Sequence, residues 1–295
     1  MAFKSGFVSI IGRPNVGKST LMNYIIGEKI AIMSDKPQTT RNKIQSIYTD
    51  EELQIIFIDT PGMHKPKHKL GEYMVNTATQ TLKDVDVVLF VVDNSKEIGP
   101  GDRHIIEQLK ETRTPVILVM NKIDLMNPES FKNLYNLYEQ EGVFKDIIGI
   151  SALEGANISS LIHKISDYLD EGPKYFPDDM ITDQPEKVIV AEIIREKVLH
   201  YIDQEIPHGV AVEITSMKYR EEKDIVDINA TIYCEKKSHK GIIIGKNGRK
   251  LKGIGKSARQ DIETLLGSKV YLELWVKIKE DWRNSQSTLR NFGFE

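Results

Sequence analysis

Short apolar runs alternate with longer stretches of helical periodicity through the first half of the chain. The five runs span residues 7–11, 55–58, 87–92, 116–120 and 147–150. Runs of this length between helical stretches are typical of a parallel sheet with helices on both faces. A sixth strand over 43–49 is expected to turn back at 50–52 and pair antiparallel with the strand that ends at Asp59. The first half is therefore predicted to be an α/β domain.

The second half has a different order of elements. The pattern predicts a helix near 188–201, strands near 210–217 and 225–234, a second helix, a glycine-containing loop, a third helix from 251 to 265 and a strand over 270–276. Between the halves, residues 171–185 are rich in proline, glycine and acid and lack periodicity, which is typical of a linker. We therefore predict one domain over 1–172, a linker over 173–185 and a second domain over 186–295.

Length and composition agree with two ordinary globular domains. The chain has 295 residues, of which 28% are charged, and a formal net charge of -3. No apolar run approaches the length of a membrane span, and the N-terminus leads directly into the first strand, so a cytoplasmic protein is expected. The single cysteine, Cys234, excludes an internal disulfide. It is in phase with alternate apolar residues from Val226 to Ile232 and is predicted to pack in the core.

A glycine-rich loop follows the first predicted strand. Residues 12–19 read Gly-Arg-Pro-Asn-Val-Gly-Lys-Ser, which is the pattern of a P-loop. The backbone N–H groups of such a loop and the positive end of the next helix surround phosphate oxygens. Lys18 is expected to reach the β- and γ-phosphates, and Ser19 to bind Mg²⁺. The predicted phosphate-binding residues are Gly12, Arg13, Pro14, Asn15, Val16, Gly17, Lys18, Ser19 and Thr20.

Two motifs at later strand ends predict that the base is guanine. Guanine presents N1–H and an exocyclic amine side by side, and the Asp124 carboxylate of Asn-Lys-Ile-Asp can accept both. Asn121 is expected to join loops and contact N7, while the Ala152 N–H points at O6. An adenine-dependent kinase or ATPase, the rival hypothesis, would have no use for Asp124. The predicted base-binding residues are Asn121, Lys122, Asp124, Ser151, Ala152 and Leu153.

The γ-phosphate chemistry is predicted from two further segments. Asp59, Thr60, Pro61 and Gly62 end the second apolar run. Asp59 is expected to act on Mg²⁺ through a water, and the Gly62 N–H to contact the γ-phosphate. Thr40 is expected to complete the metal shell, with Thr39 as the alternative. The loop that carries it would be ordered by the γ-phosphate and released after hydrolysis. The predicted metal ligands are Ser19, Thr40 and Asp59.

A block of one charge sign lies in the second half. Between Lys236 and Arg259 there are nine basic residues and no acidic residue, which suggests a polyanionic ligand. Residues 245–248 fit the GxxG loop of a KH domain, in which the nucleic-acid backbone approaches two glycines closely. The order of elements resembles the type II KH arrangement. The predicted RNA-binding residues are Lys240, Gly241, Ile244, Gly245, Lys246, Asn247, Gly248, Arg249, Lys250 and Lys252.

Taken together, these motifs resemble those of the translation-factor-like GTPases and, more narrowly, the Era-type ribosome-assembly GTPases. The resemblance covers both domains and implies a P-loop GTPase fold, with a mostly parallel sheet, joined to a smaller α+β type II KH domain. It implies a GTP-hydrolysing switch that uses GTP, GDP and Mg²⁺. It also implies binding to single-stranded RNA near the 3′ end of small-subunit (16S) ribosomal RNA during assembly of the 30S subunit.

The resemblance also bears on catalysis, for which the expected residues are Lys18, Thr40, Gly62 and Asn15. Met63 stands where Ras-like proteins carry a water-orienting glutamine, so intrinsic hydrolysis is expected to be slow. As in similar GTPases with this P-loop asparagine, Asn15 is hypothesised to bind a monovalent cation such as K⁺.

An alternative of a different class is a membrane-peripheral regulatory GTPase. Its basic block would bind anionic lipid, giving a peripheral association with the inner membrane. A membrane helix would need a large apolar face beside the lysines, and Gly253 and Gly255 weaken that hypothesis.

Overall fold

The computed structural model of the chain describes residues 2–32, 41, 44–59, 68–81, 84–202, 209–220 and 222–294. The protein divides into two compact units, and the main boundary between them falls between Asp183 and Gln184. This boundary lies inside the predicted linker.

The first unit contains a six-stranded sheet and helices on both of its faces. The strands are β1 (Lys4–Ile11), β2 (Ile44–Thr49), β3 (Leu53–Asp59), β4 (Val87–Val92), β5 (Val116–Met120) and β6 (Asp146–Gly149). The helices are α1 (Lys18–Ile26), α2 (Lys69–Thr81), α3 (Pro100–Leu109), α4 (Pro128–Glu139) and α5 (Ile158–Ser166), and α2 belongs to this unit from Met74 onward. The sheet order is β2-β3-β1-β4-β5-β6, in which β2 and β3 pair antiparallel and the others pair parallel. The predicted α/β fold is confirmed.

Two apolar cores explain why this sheet is covered on both sides. One core contains residues of β1, α1 and α5, such as Ile10, Leu21 and Leu161. The other contains residues of β4, α3 and α4, such as Phe90 and Ile105. The central strands β4 and β5 are buried along their whole length, which accounts for their continuous apolar sequences. The carboxyl ends of the parallel strands are consequently held at one rigid edge.

The second unit contains a three-stranded sheet with helices packed against one face. Its elements are α6 (Glu186–Tyr201), β7 (Ala211–Arg220), β8 (Ile225–Cys234), α7 (Lys237–Ile244), α8 (Arg249–Leu266), β9 (Lys269–Ile278) and α9 (Gln286–Asn291). The sheet order is β7-β8-β9, with β7 antiparallel and β9 parallel to β8. Its core joins α6, α7 and α8 to the inner face of the sheet. The predicted order of elements is confirmed.

Cys234 is the last residue of the inner face of β8. Its side chain and those of Val226, Ile228, Ala230 and Ile232 are all 0% exposed. Burial raises the pKa of the Cys234 thiol, so the thiol stays protonated near neutral pH. The prediction of a small core residue is therefore confirmed.

The segment between the two units is bonded to the first unit. The Gln54 side chain is fully buried and donates through Nε2 to the Phe176 carbonyl at 2.9 Å. Its Oε1 accepts from the N–H groups of Tyr175 and Phe176. Further along, the Ile47 N–H donates to the Ile181 carbonyl at 2.9 Å. The predicted linker thus runs along the β2 and β3 side of the sheet as far as these contacts reach.

Candidate functional sites

The P-loop joins β1 to α1 at the carboxyl edge of the sheet. Gly17 has a φ of 99° and stands immediately before the first turn of α1. A Cβ at Gly17 would overlap the Asn121 carboxamide, and a Cβ at Gly12 would overlap the Val91 carbonyl of β4. Both positions therefore require glycine, because neighbouring backbone and a buried amide occupy the space. The P-loop therefore packs directly against β4 and against the loop that carries Asn121.

Lys18 is held under the P-loop. Its side chain donates from Nζ to the carbonyls of Gly12 at 2.9 Å and Arg13 at 2.8 Å, and the residue is 8% exposed. Burial lowers the pKa of Lys18 to about 8, against the opposing effect of the nearby Asp59 carboxylate. A phosphate chain in the loop would stabilise the protonated ammonium.

We expect nucleotide affinity to fall as pH rises above the Lys18 pKa. The pKa of Lys18 in the nucleotide-free protein is lowered to about 8, so the side chain is charged below that pH. Above that pH, Lys18 must take up a proton when the nucleotide binds. If the bound pKa returns to its ordinary range, GDP affinity should fall about tenfold between pH 7 and 9. Fluorescence titration of a labelled GDP without magnesium measures this. The same titration of the Lys18→Met variant measures how much the other titrating groups, including guanine, contribute to the pH dependence. If GDP affinity changed equally with pH in the wild type and in this variant, the expectation would be contradicted.

The Arg13 side chain is directed to the protein and not to the phosphate loop. Its Nε donates to Asp102 Oδ1 at 2.8 Å, and its Nη2 donates to Asp93 Oδ1 at 3.1 Å and to Ser95 Oγ at 3.2 Å. The Asp102 side chain, in the first turn of α3, is fully buried. Arg13 was predicted to bind nucleotide, which stays a prediction; its guanidinium is bound in this network through Nε and Nη2. The network fixes the P-loop to the end of β4 and to α3.

Asn121 joins three loops at the carboxyl edge. The residue is 2% exposed, and its Nδ2 donates to the Val16 carbonyl at 2.8 Å. Its Oδ1 accepts from the N–H groups of Lys122 at 2.8 Å and Ala152 at 2.9 Å. Lys122 has a φ of 65° and donates from Nζ to the Asn15 carbonyl at 2.9 Å. The buried Asn121 carboxamide thus connects the P-loop to the two loops that are predicted to bind the base, residues 121–124 and 151–153. These two are called the base loops below.

The Ala152 N–H makes a hydrogen bond within the protein. The Ala152 N–H was expected to point at guanine O6, but it donates to Asn121 Oδ1. The contact with O6 stays a prediction, because it concerns the protein with guanine bound.

Asp124 occupies an accessible position beside these loops. It lies in a single 3₁₀ turn, Ile123–Leu125, which begins after the left-handed Lys122. The Asp124 residue is exposed, and no hydrogen bond from another described residue reaches its carboxylate. Leu125 and Leu153 on the two base loops are 66% and 78% exposed. The carboxylate is therefore available to a ligand that offers two adjacent donors.

The described residues suit Mg²⁺ better than a metal that needs several protein ligands. Ser19 is half-buried in the first turn of α1, and Asp59 is fully buried at the carboxyl end of β3. No group of three or more metal-binding His, Cys, Asp or Glu residues occurs in the described ranges. Magnesium binds through one or two protein oxygens together with phosphate oxygens and waters, which fits this donor set. The predicted residues Thr40, Thr60, Pro61 and Gly62 lie outside the described residues, as does Met63.

The GxxG loop of the second unit stands between two helix ends. α7 ends at Ile244, and Gly245 and Gly248 have φ values of 71° and 72°. A single 3₁₀ turn, Lys246–Gly248, leads into α8, and Asn247 within it has a φ of 53°. The first turn of α8 carries no acidic residue, so its positive end is not neutralised locally.

A groove of about 590 Å³ lies between α8 and β9. It is lined by Gly248, Leu251, Lys252, Gly255, Lys256, Arg259, Val270, Tyr271, Leu272 and Leu274. Of the predicted RNA-binding residues, only Gly248 and Lys252 line the groove; Lys240, Gly241 and Ile244 lie on α7 and do not. Sequence reasoning missed the α8 residues that follow Gly248 at helical spacing and the β9 residues opposite them. The helical period from Gly248 through Lys252 and Gly255 to Arg259 was a signal that could have identified them.

Comparisons with known proteins agree on both units. A family model described as "50S ribosome-binding GTPase" matches residues 7–122, and a KH domain model matches residues 205–283. GTPase Era of Alkaliphilus oremlandii is 75% identical over 295 residues, which cover 100% of both chains. GTPase Era of Clostridioides difficile is 68% identical over 293 residues, or 99% of each chain.

Solved structures give the same result. Era in complex with MgGDPNP and nucleotides 1506–1542 of 16S ribosomal RNA is 42% identical, with a TM-score of 0.94 and 99% of each chain covered. A point variant of Aquifex aeolicus Era bound to GDP and AlF4⁻ matches with the same identity, coverage and TM-score.

Proposed function

This chain belongs to the Era family of GTPases, and we propose that its nucleotide state controls RNA binding in the groove between α8 and β9. The protein is a GTPase with a C-terminal KH domain. The proposal rests on two features of the same chain. Asn121 holds the loops of the nucleotide site together, and a groove begins at the GxxG loop.

The RNA partner follows from the chemistry of the groove and from the relatives. KH grooves hold about four unpaired nucleotides, with the backbone against the GxxG loop. The groove combines apolar residues such as Leu251 with Lys252, Lys256 and Arg259, which suits bases on one side and phosphates on the other. Because a 42% identical Era was solved with nucleotides of 16S ribosomal RNA, we place the 3′ region of that RNA in this groove. The function would then be in assembly of the 30S subunit, in the cytoplasm.

We assign roles in the nucleotide site from the positions of the side chains. Lys18 and the P-loop N–H groups bind the β- and γ-phosphates, and Asp124 accepts the two donors of guanine. Ser19 and Asp59 hold Mg²⁺, which when bound neutralises charge on the phosphate oxygens. Arg13 and Asn121 position these groups, because their side chains are bonded to other loops. Hydrolysis removes the γ-phosphate and with it the contacts that distinguish the two nucleotide states.

We expect hydrolysis to be faster in potassium than in sodium. Asn15 has a φ of 67° and its carbonyl is held by Lys122, which fixes the P-loop backbone at the position of the proposed cation ligand. A cation there would supply positive charge beside the phosphates, worth roughly tenfold or more in rate. Phosphate release at equal ionic strength in K⁺ and Na⁺ measures the effect. The Asn15→Ala variant should lose the difference; equal wild-type rates in both salts would rule out the cation.

Crosslinking of RNA identifies the ligand directly. Bound RNA in assembling small subunits is crosslinked to the protein in the GTP and GDP states and sequenced. We expect crosslinks between the 3′ region of 16S ribosomal RNA and peptides from α8 and β9. Their yield should be higher in the GTP state than in the GDP state. The Lys252→Glu variant, which reverses one charge in the groove, serves as the control. Crosslinks confined to other RNA, or equally abundant with Lys252→Glu, would contradict the proposal.

The membrane-peripheral alternative gains no support from the comparisons. In the described part of the chain, no helix combines the length and apolar character that crossing a bilayer requires. Lys252, Lys256 and Arg259 line a groove that also contains Leu272 and Leu274. A concave surface of this kind suits an extended strand better than a flat lipid surface.

A further inference from the structure

The two tryptophans of the chain have opposite environments. Trp282 is 0% exposed, its Nε1 donates to the Gly209 carbonyl at 2.9 Å, and its ring contacts Phe292 and Phe294. Trp275 in β9 is 57% exposed. Core packing therefore explains the presence of Trp282. It does not explain Trp275, because the indole of that residue is exposed.

Trp275 lies on the outer face of the sheet, opposite to the face that α6, α7 and α8 cover. Along β9 the inner-face residues Val270 and Val276 are buried, whereas Tyr271 and Trp275 are exposed. Trp275 is opposite Thr231 of β8 in the strand register. Thr231 belongs to the same outer face and is only 2% exposed. Trp275 therefore stands beside a covered position of the central strand, while its own side chain remains exposed.

The position of Trp275 continues the groove. β9 is an edge strand, and its Tyr271, Leu272 and Leu274 line the groove. Leu274 also faces Gly255 of α8, since a Cβ at Gly255 would lie 3.4 Å from Leu274 Cδ1. Trp275 is the next residue on this edge strand and lies on its outer face, as does Lys277. An RNA strand that leaves the groove across β9 would therefore meet an indole and then an ammonium group.

We propose that Trp275 is a base-stacking position that binds one unpaired RNA base just outside the nucleotides held in the groove. The proposal rests on the proposed RNA-binding function and extends its footprint. Stacking suits this residue because every base has a π-face, so that the position adds affinity without selecting one base. A tryptophan side chain has few rotatable bonds, which keeps the entropy lost on binding small.

The test compares short and long RNA on the full-length protein. Affinities are measured for a four-nucleotide RNA that fills the groove and for the same RNA extended by four nucleotides at either end. Trp275→Ala should weaken binding of at least one extended RNA by roughly 5- to 100-fold and leave the four-nucleotide RNA unchanged. Trp275→Phe, which keeps an aromatic face, should retain most of the affinity.

Two controls keep the outcomes distinct. Tyr219 is also exposed, at 55%, but lies on β7 at the opposite edge of the sheet, so Tyr219→Ala should not change RNA affinity. In the wild type, iodide should quench Trp275 and not Trp282, and an extended RNA should protect Trp275. Unchanged affinity in Trp275→Ala, an equal loss for short and long RNA, or no protection from iodide would overturn the proposal. Failure of the wild type to bind any of these RNAs would instead overturn the proposed function.

Discussion

Replacing Asp124 by asparagine is expected to lower the affinity for GTP by roughly 10²- to 10⁴-fold, because two charge-assisted hydrogen bonds to guanine are lost. The same variant should bind xanthosine triphosphate better than the wild type does. Xanthine carries a carbonyl where guanine carries its exocyclic amine, and the asparagine amide can donate to that oxygen. Competition against a fluorescent guanine nucleotide measures both affinities.

The structure suggests that this substitution acts on the base and not on the fold. Asp124 is exposed and makes no hydrogen bond with another described residue, so that asparagine there breaks no internal contact. Glu129→Gln, at an exposed carboxylate in the first turn of α4, provides a matched control with the same chemical change. GTP affinity that is unchanged in Asp124→Asn, or reduced equally in Glu129→Gln, would refute guanine recognition by Asp124.

Filling the groove at Gly255 should have the second large effect. Gly255 is on the groove face of α8, and a leucine side chain there would extend into the groove toward Leu274. Excluding one or two bases at about 1–3 kcal/mol each would weaken RNA binding about 100-fold. Leucine is a better helix former than glycine, so α8 should not be weakened. RNA affinity is measured by fluorescence anisotropy, alongside GTP hydrolysis without RNA, which should stay at the wild-type rate.

Gly255→Ala is the graded control for this prediction. The added Cβ would make an ordinary contact with Leu274 at 3.4 Å, so the groove should remain open and RNA affinity should change little. Undiminished RNA binding by Gly255→Leu would place the RNA elsewhere on the second unit.

The regular elements were largely predictable because their sequence periods are local. The strands predicted over 87–92, 116–120 and 225–234 occur at those limits. Continuous apolar runs define the first two, and alternating apolar and polar residues define the third. The nucleotide motifs were predictable for the same reason, because each one follows a strand within a few residues.

Contacts between distant residues were not predictable. The Arg13 ion pairs with Asp93 and Asp102 join residues 80 and 89 positions apart, and nothing in either local sequence identifies the partner. Gln54 likewise bonds to Phe176, 122 positions away, within a segment that reads as featureless linker. The groove was predictable only in part. Its α8 residues follow a helical period in the sequence, but which β9 residues lie opposite them depends on the fold.

The most direct test of the central claim is the affinity of one RNA in two nucleotide states. An oligonucleotide from the 3′ region of 16S ribosomal RNA is titrated with the full-length protein loaded with a non-hydrolysable GTP analogue or with GDP. A coupling of about 1–3 kcal/mol predicts roughly 5- to 150-fold tighter binding with the analogue, and RNA should raise the affinity for the analogue, relative to GDP, by the same factor. Equal RNA affinity in the two states would contradict a switch that links the nucleotide site to the groove.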